Sequence, residues 1–289
     1  TERRYGKGCI FCGIGIQEAL SRLGVGPDLI IPAIPQEILF THRVGDGFEF
    51  YFLSNQSENA VSGTFGFDVA DRQPELWNAE TGEIRDLPLF EQRAGRTYVP
   101  LEFGPADSWF IVFRKRVVVS NSGSDTNFPA FRKLQEINCN WNVTFHPVYD
   151  AAREMTFGEL TDWTQNDDPY IRHFSGTATY KTNFEYRAGT EKNVWLDLGT
   201  VHALADVTLN GQPFRTLWRP PYRVNISEVL KEGYNTIEVV VTNCWLNRLI
   251  GDLQFGARKY TWAPYVDWNA ETPLLPSGLI GPVTLLTGE

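Results

Sequence analysis

Ala205, Val207 and Leu209 alternate with Asp206, Thr208 and Asn210, and Asn210-Gly211 closes the run. A period of two between apolar and polar residues describes a strand with one dry face and one wet face. Asn-Gly then supplies the two positive φ angles of a tight hairpin turn. Ile237, Val239 and Val241 repeat the pattern, and Trp141, Val143 and Phe145 open an earlier copy of it. In Val194-Trp-Leu-Asp-Leu198 the aliphatic residues face inward, leaving Trp195 and Asp197 outward. A sheet that is dry on one face has to cover that face with a second layer. Short strands joined by Gly/Pro turns, with almost no helix between them, therefore restrict the chain to β-sandwich or jelly-roll architecture. The expected fold class is all-β.

The organisation follows from where these patterns start and stop. Residues 1–35 hold the one convincing helix signal. Ile16, Leu20 and Leu23 share a face, Gly24 follows as a C-cap, and a strand near Gly8 to Phe11 precedes them. The Gly13-Ile-Gly15 turn lacks the rest of a dinucleotide-binding fingerprint. Residues 36–116 read as a small antiparallel β domain. In it Phe48, Phe50 and Phe52 alternate with Glu49, Tyr51 and Leu53, and turns fall at Gly45-Asp-Gly47, Thr81-Gly82 and Gly104-Pro105. Residues 117–130 are the linker candidate, because Ser120-Asn-Ser-Gly-Ser-Asp-Thr-Asn127 offers nothing to bury. Residues 131–289 form a second β domain.

Bulk properties narrow the partners. The chain has 289 residues, 42% of them apolar and 21% charged, enough for packed cores and too apolar for disorder. A net charge of −9 disfavours nucleic acid and anionic membrane surfaces. No apolar run reaches the ~18 residues of a spanning helix, so no membrane span is expected. The opening Thr1-Glu-Arg-Arg-Tyr-Gly-Lys-Gly reads as the interior of something longer. Cys9 and Cys12 form a C-x2-C pair with no second pair or histidine at zinc spacing. No metal and no cofactor is expected. Cys139 and Cys244 can be bridged only if the fold brings them together.

Candidate site residues lie late in the chain. Trp218, Arg219, Tyr222 and Arg223 follow one strand; Trp245, Asn247, Arg248 and Asp252 follow another; Tyr260, Trp262, Tyr265 and Trp268 lie in a stretch without periodicity. Aromatic rings pack against the C–H faces of pyranoses, while Arg, Asn and Asp read hydroxyl orientation. From this set Trp218, Tyr222, Trp245, Asn247, Arg248, Asp252, Trp262, Tyr265 and Trp268 are the expected carbohydrate contacts. The opposing reading is that these loops fold back to cap their own sandwich, with Arg248 and Asp252 a structural ion pair. Glycosidases work through two carboxylates, but no motif gives a role to Glu159, Asp162, Asp167, Asp168 or Asp267. None of His42, His146, His173 and His202 stands beside a serine in a nucleophile-elbow context. No catalytic residue is assigned.

Four segments, Pro74-Glu-Leu-Trp-Asn-Ala-Glu-Thr-Gly82, Trp218-Arg-Pro-Pro-Tyr222, Asn247-Arg-Leu-Ile-Gly-Asp252 and Leu275-Pro-Ser-Gly-Leu-Ile-Gly281, carry a resemblance. The chain resembles the C-terminal region of the α-L-rhamnosidase-type proteins of glycoside hydrolase family 106, most strongly from Trp141 onward. This includes the jelly-roll, galactose-binding-like β-sandwich attached to large glycosidases. The resemblance implies two β-sandwich domains, the second a jelly roll, preceded in residues 1–35 by the remnant of a flavodoxin-like α/β domain. It also implies a carbohydrate partner, a rhamnose-containing pectic oligosaccharide, and a bacterial periplasmic or extracellular location. The family's catalytic pair sits on a (β/α)8 barrel of about 250 residues, for which this chain has no room. The expected role is thus a non-catalytic carbohydrate-binding or accessory region, with the catalytic domain of the parent enzyme as partner. A glycoside hydrolase in its own right and a purely structural sandwich supporting a barrel are the alternatives.

Overall fold

The structure is a computed structural model that describes residues 1–34, 37–117, 126–148, 150–264 and 267–288. It divides into two compact units, Thr1–Phe128 and Pro129–Glu289. Most of the stretch read as a linker, residues 118–125, lies outside the described residues.

The first unit packs two antiparallel sheets. One has the strand order Leu29–Ile30, Val61–Phe67, Arg96–Phe103, Glu91–Arg93. The other runs Ile38–Val44, Glu49–Asn55, Ser108–Arg116, Arg72–Trp77, Ile84–Asp86. Alternation settles which side chains meet. Tyr51, Leu53, Ile111, Phe113 and Leu76 enter a core shared with Phe65, Phe67, Val99 and Leu101, and Phe50, Phe52 and Phe110 cluster on the opposite face of their sheet. Glu75, also fully buried, receives Arg114 Nε at 2.7 Å and Lys115 Nζ at 2.7 Å. Burial alone would raise its pKa. The hydrogen bonds and charges of Arg114 and Lys115 outweigh burial and hold it below the usual carboxylate value.

At the start of this unit Glu2–Tyr5 pairs with Gly8–Phe11, and the expected helix forms at Ile16–Arg22. Gly24 takes φ +72° and Val25 N–H reaches back to Leu20 C=O, an αL ending that suits glycine. The helix buries none of its residues, and Ile16 is 78% exposed.

The second unit is a sandwich of six- and four-stranded sheets. The larger has the order Arg153–Phe157, Trp141–His146, Thr177–Tyr186, Gly233–Thr242, Leu204–Leu209, Gln212–Pro213. The smaller is Phe131–Glu136, Thr284–Gly288, Val194–Asp197, Arg223–Asn225. All three expected alternating triplets, Ala205/Val207/Leu209, Ile237/Val239/Val241 and Trp141/Val143/Phe145, point into one core. Asn210 and Gly211 take φ +52° and +83° at the hairpin between Leu204–Leu209 and Gln212–Pro213. Within the core, Tyr180 Oη accepts from Trp163 Nε1 at 2.5 Å and from Leu279 N at 3.2 Å. Burial pushes its pKa up to about 12.

The expectation of a single helix is corrected here. A further helix runs Leu246–Gly251, one turn forms at Pro169–Arg172, and a 3-10 turn at Trp163–Gln165. The last two are started by side chains. Asp162 Oδ1 accepts from Thr164 N, and Asp168 Oδ1 from Tyr170 N, both at 2.9 Å. All four cysteines are free thiols.

Candidate carbohydrate site

The second unit carries a slot at one end of the strand Trp141–His146, and side chains from three places line it. Pro147, Val148 and Asp150 follow that strand; Tyr170 and Phe174 come from the turn after Asp168-Pro169; Trp245, Arg248 and Tyr260 come from the late stretch. The slot is small, with a cavity volume of about 30 Å³.

Local chemistry fixes each wall. Proline at the first helical position needs no N–H partner and Asp168 caps the turn, so Tyr170 is presented at a set angle. The Arg153 guanidinium lies over its ring at 3.6 Å and pairs with Asp168 Oδ2 at 3.4 Å. On the other wall, Asp252 ties helix to loop. Its Oδ1 accepts from Arg248 Nε at 2.9 Å, and its Oδ2 accepts from Tyr260 N, Thr261 N and Thr261 Oγ1 at 2.9, 2.7 and 2.6 Å. Arg248 N donates to Ser175 Oγ at 3.0 Å, which joins the helix Leu246–Gly251 to the Tyr170 side. Tyr260 Oη donates to Asp150 Oδ2 at 3.4 Å across the mouth.

Two groups in this slot are left open. The Tyr170 hydroxyl is buried and has no hydrogen-bond partner. Burial comes first among the causes that raise its pKa, so it stays a protonated donor. Arg248 uses Nε on Asp252, and among the described residues nothing accepts from its terminal amino groups. Aromatic rings, a guanidinium edge and one carboxylate are the groups that the C–H and O–H faces of a sugar would meet at the mouth of the slot.

Eight of the nine expected contacts separate into three groups. Trp245 and Arg248 line the slot. Asp252, Asn247 and Tyr222 are buried and committed to the protein: Asn247 Nδ2 donates to Leu275 O at 2.7 Å and Ser277 Oγ at 3.0 Å, its Oδ1 accepts from Leu275 N at 2.8 Å, and Tyr222 Oη donates to Ala203 O at 2.9 Å. Trp218, Trp262 and Trp268 are outside the slot, Trp262 with 83% of its surface exposed. Tyr265 lies outside the described residues. Tyr170 and Asp150 were missed, although Asp168-Pro169 is a helix-start signal that places Tyr170. Of the unassigned carboxylates, Asp162 and Asp168 serve as caps. Among the described residues no cluster of three or more His, Cys, Asp or Glu could hold a metal, and no helix is long and apolar enough to cross a membrane.

Comparison with known proteins puts this architecture in the glycosidase world. Residues 1–92 match the family model of glycoside hydrolase family 106, alpha-L-rhamnosidase, and residues 155–271 match the galactose-binding-like domain model of glycosyl hydrolase family 2. The rhamnosidase from Novosphingobium sp. PP1Y superimposes over 99% of this chain with a TM-score of 0.86 and 37% identity. A curated protein of Formosa agariphila, provisionally named a beta-glucuronidase, is 35% identical over 172 residues, 50% of this chain. The chain spans 27% of the rhamnosidase and 15% of the Formosa protein. The resemblance to rhamnosidase-type glycoside hydrolases therefore holds over both units, with the family-106 model matched in the first and the galactose-binding-like model in the second.

Proposed function

We propose that this chain is a non-catalytic carbohydrate-binding region of an α-L-rhamnosidase-like glycoside hydrolase that acts on plant-type polysaccharide, with the catalytic domain of the parent enzyme as its partner. The observation that supports the binding role is the Trp245–Arg248–Tyr260 slot, where aromatic walls stand beside an arginine that spends only its Nε on Asp252 and beside a buried tyrosine hydroxyl without a protein partner. The non-catalytic part is supported by the slot's single carboxylate, Asp150, where hydrolysis ordinarily uses two. Rhamnose-containing pectic oligosaccharide is the ligand suggested by the rhamnosidase likeness, and a periplasmic or extracellular bacterial location accompanies that substrate.

A glycan-array screen of the purified chain, with pectic and rhamnose-bearing oligosaccharides, tests the reading. Binding that disappears in Trp245→Ala and survives in Trp262→Ala is expected. Absence of binding to every glycan would leave the sandwich as structural support for a barrel.

A further inference from the structure

Residues 1–25 hold a hairpin and a helix without burying a single side chain. They are not short of apolar residues. Tyr5 is 81% and Ile10 59% exposed, and Leu23 and Val25 are exposed beside Ile16 and Leu20. Register places the two hairpin residues. Glu2 pairs with Phe11 and Arg4 with Cys9 on one face, while Arg3 pairs with Ile10 and Tyr5 with Gly8 on the other. Glu2 lies 4.0 Å from Arg22 of the helix, and its Oε1 accepts from Cys9 Sγ at 3.4 Å. The first face is thus turned to the helix. The second face, with Arg3, Tyr5 and Ile10, is open to solvent, and so is the helix row Ile16, Leu20, Leu23.

Neither element is built to persist uncovered. A two-stranded hairpin is marginal in water, and a helix of seven residues is shorter than isolated helices that hold their own. Among the described residues no third strand pairs with either edge of this hairpin. Yet the stretch falls in the 1–92 segment that matches the family-106 model. The Novosphingobium rhamnosidase superimposes on 99% of this chain, and that region is 27% of its own polypeptide. Most of a large enzyme is therefore on hand there to cover such a surface. Charge adds what the cover must offer. Arg3 and Lys7 have no carboxylate partner among the described residues, in a chain whose net charge is −9.

Resting on the parent-enzyme reading above, we infer that residues 2–25 are a docking surface for the remaining part of a rhamnosidase-like polypeptide: apolar side chains of that part cover Tyr5, Ile10, Ile16 and Leu20, and a carboxylate meets Arg3. Docking supplies the burial that the hairpin and helix lack, so their order depends on the partner.

The test is hydrogen exchange on the whole chain, free in dilute solution and grafted into the Novosphingobium rhamnosidase in place of the region it superimposes on. The strand Val61–Phe67 reports folding of the same unit in both. Amides of Glu2–Phe11 and Ile16–Arg22 should exchange at least about tenfold more slowly in the graft, with Val61–Phe67 equally protected. Ile16→Gln and Arg3→Glu should restore fast exchange there and leave the Tm of the free chain unchanged. Fast exchange in a graft whose Val61–Phe67 is protected would overturn the docking surface, as would full protection already in the dilute free chain. Protection that rises with the concentration of the free chain would also overturn it, by giving the surface to a second copy. If the graft does not fold, the rhamnosidase itself decides, whole and cut down to the part that superimposes on this chain. Greater protection of the matching hairpin and helix in the whole protein supports the inference, and equal protection overturns it. A glycan array without binders would end the carbohydrate reading and leave this outcome untouched.

Discussion

Two short helices, Ile16–Arg22 in the first unit and Leu246–Gly251 in the second, are held by opposite means. The first has every local signal: an apolar face at i, i+4 and i+7, the Arg22–Glu18 pair at 2.6 Å, and a glycine ending at Gly24. It nevertheless buries no side chain. The second starts at Trp245 with no side-chain cap, yet Asn247, Ile250 and Gly251 are buried in it, Asn247 binds the backbone of Leu275, and Asp252 at its end binds the backbone of Tyr260 and Thr261. Local periodicity shows that a helix can form. What holds it in place is set by hydrogen bonds that no periodicity records.

Substitutions can break that contrast. The largest effect is expected at Asn247→Ala. It takes the partner from Leu275 N–H and one of two donors from Leu275 C=O, and it should cost about 1–3 kcal/mol, read as a lower urea midpoint with an unchanged slope. The 275–277 segment should lose amide protection first, since Asn247 binds both Leu275 and Ser277.

Acid sharpens the comparison between the units. Glu75 has a folded pKa below its unfolded one, so its ion pairs stabilise the first unit above the unfolded pKa of about 4.3. That contribution fades as pH falls through the lower folded value. Thermal melts from pH 6 down to pH 3 should therefore show the wild-type first unit losing stability, with a shallower fall in Glu75→Gln. The variant is already weaker at pH 6, because a neutral amide faces Arg114 and Lys115 there. The smallest effect is expected at Leu20→Gln. The side chain is 40% exposed and both residues are good helix formers, so the change should be below about 0.5 kcal/mol in the same melts. A loss of 2 kcal/mol there would mean that the first helix is held by packing after all.

The same contrast explains what was legible beforehand. Strands were readable because one buried face forces a period of two, and Ala205, Val207 and Leu209 could be assigned inward without any partner being known. Trp245 and Arg248 were readable as candidates from their chemistry alone, and the fold brings both to the slot. Asn247 and Asp252 have the same chemistry, but they spend it on Leu275, Ser277, Tyr260 and Thr261, and only the fold decides where a polar side chain is aimed. Asp168-Pro169 places Tyr170 in the sequence, but nothing there marks its hydroxyl as partnerless, because that is a property of its surroundings. The three outlying tryptophans, Trp218, Trp262 and Trp268, show the converse. Aromatic content in a loop says that rings are available, not that they converge.

Asp252 holds the arginine of its own helix with one oxygen and the backbone of residues 260 and 261 with the other. The chain between, residues 253–259, leaves that carboxylate and returns to it. It behaves as a loop closed at its neck. Phe255 at its tip is fully exposed, and its length has little bearing on where Tyr260 stands. The neck separates the wall of the slot from the exposed tip of the loop. Changes at the tip around Phe255 can alter what the protein presents to its surroundings while Asp252 keeps Tyr260 in place, provided that Gln254 and Arg258 keep their contacts with Ala270 and the Tyr260 ring.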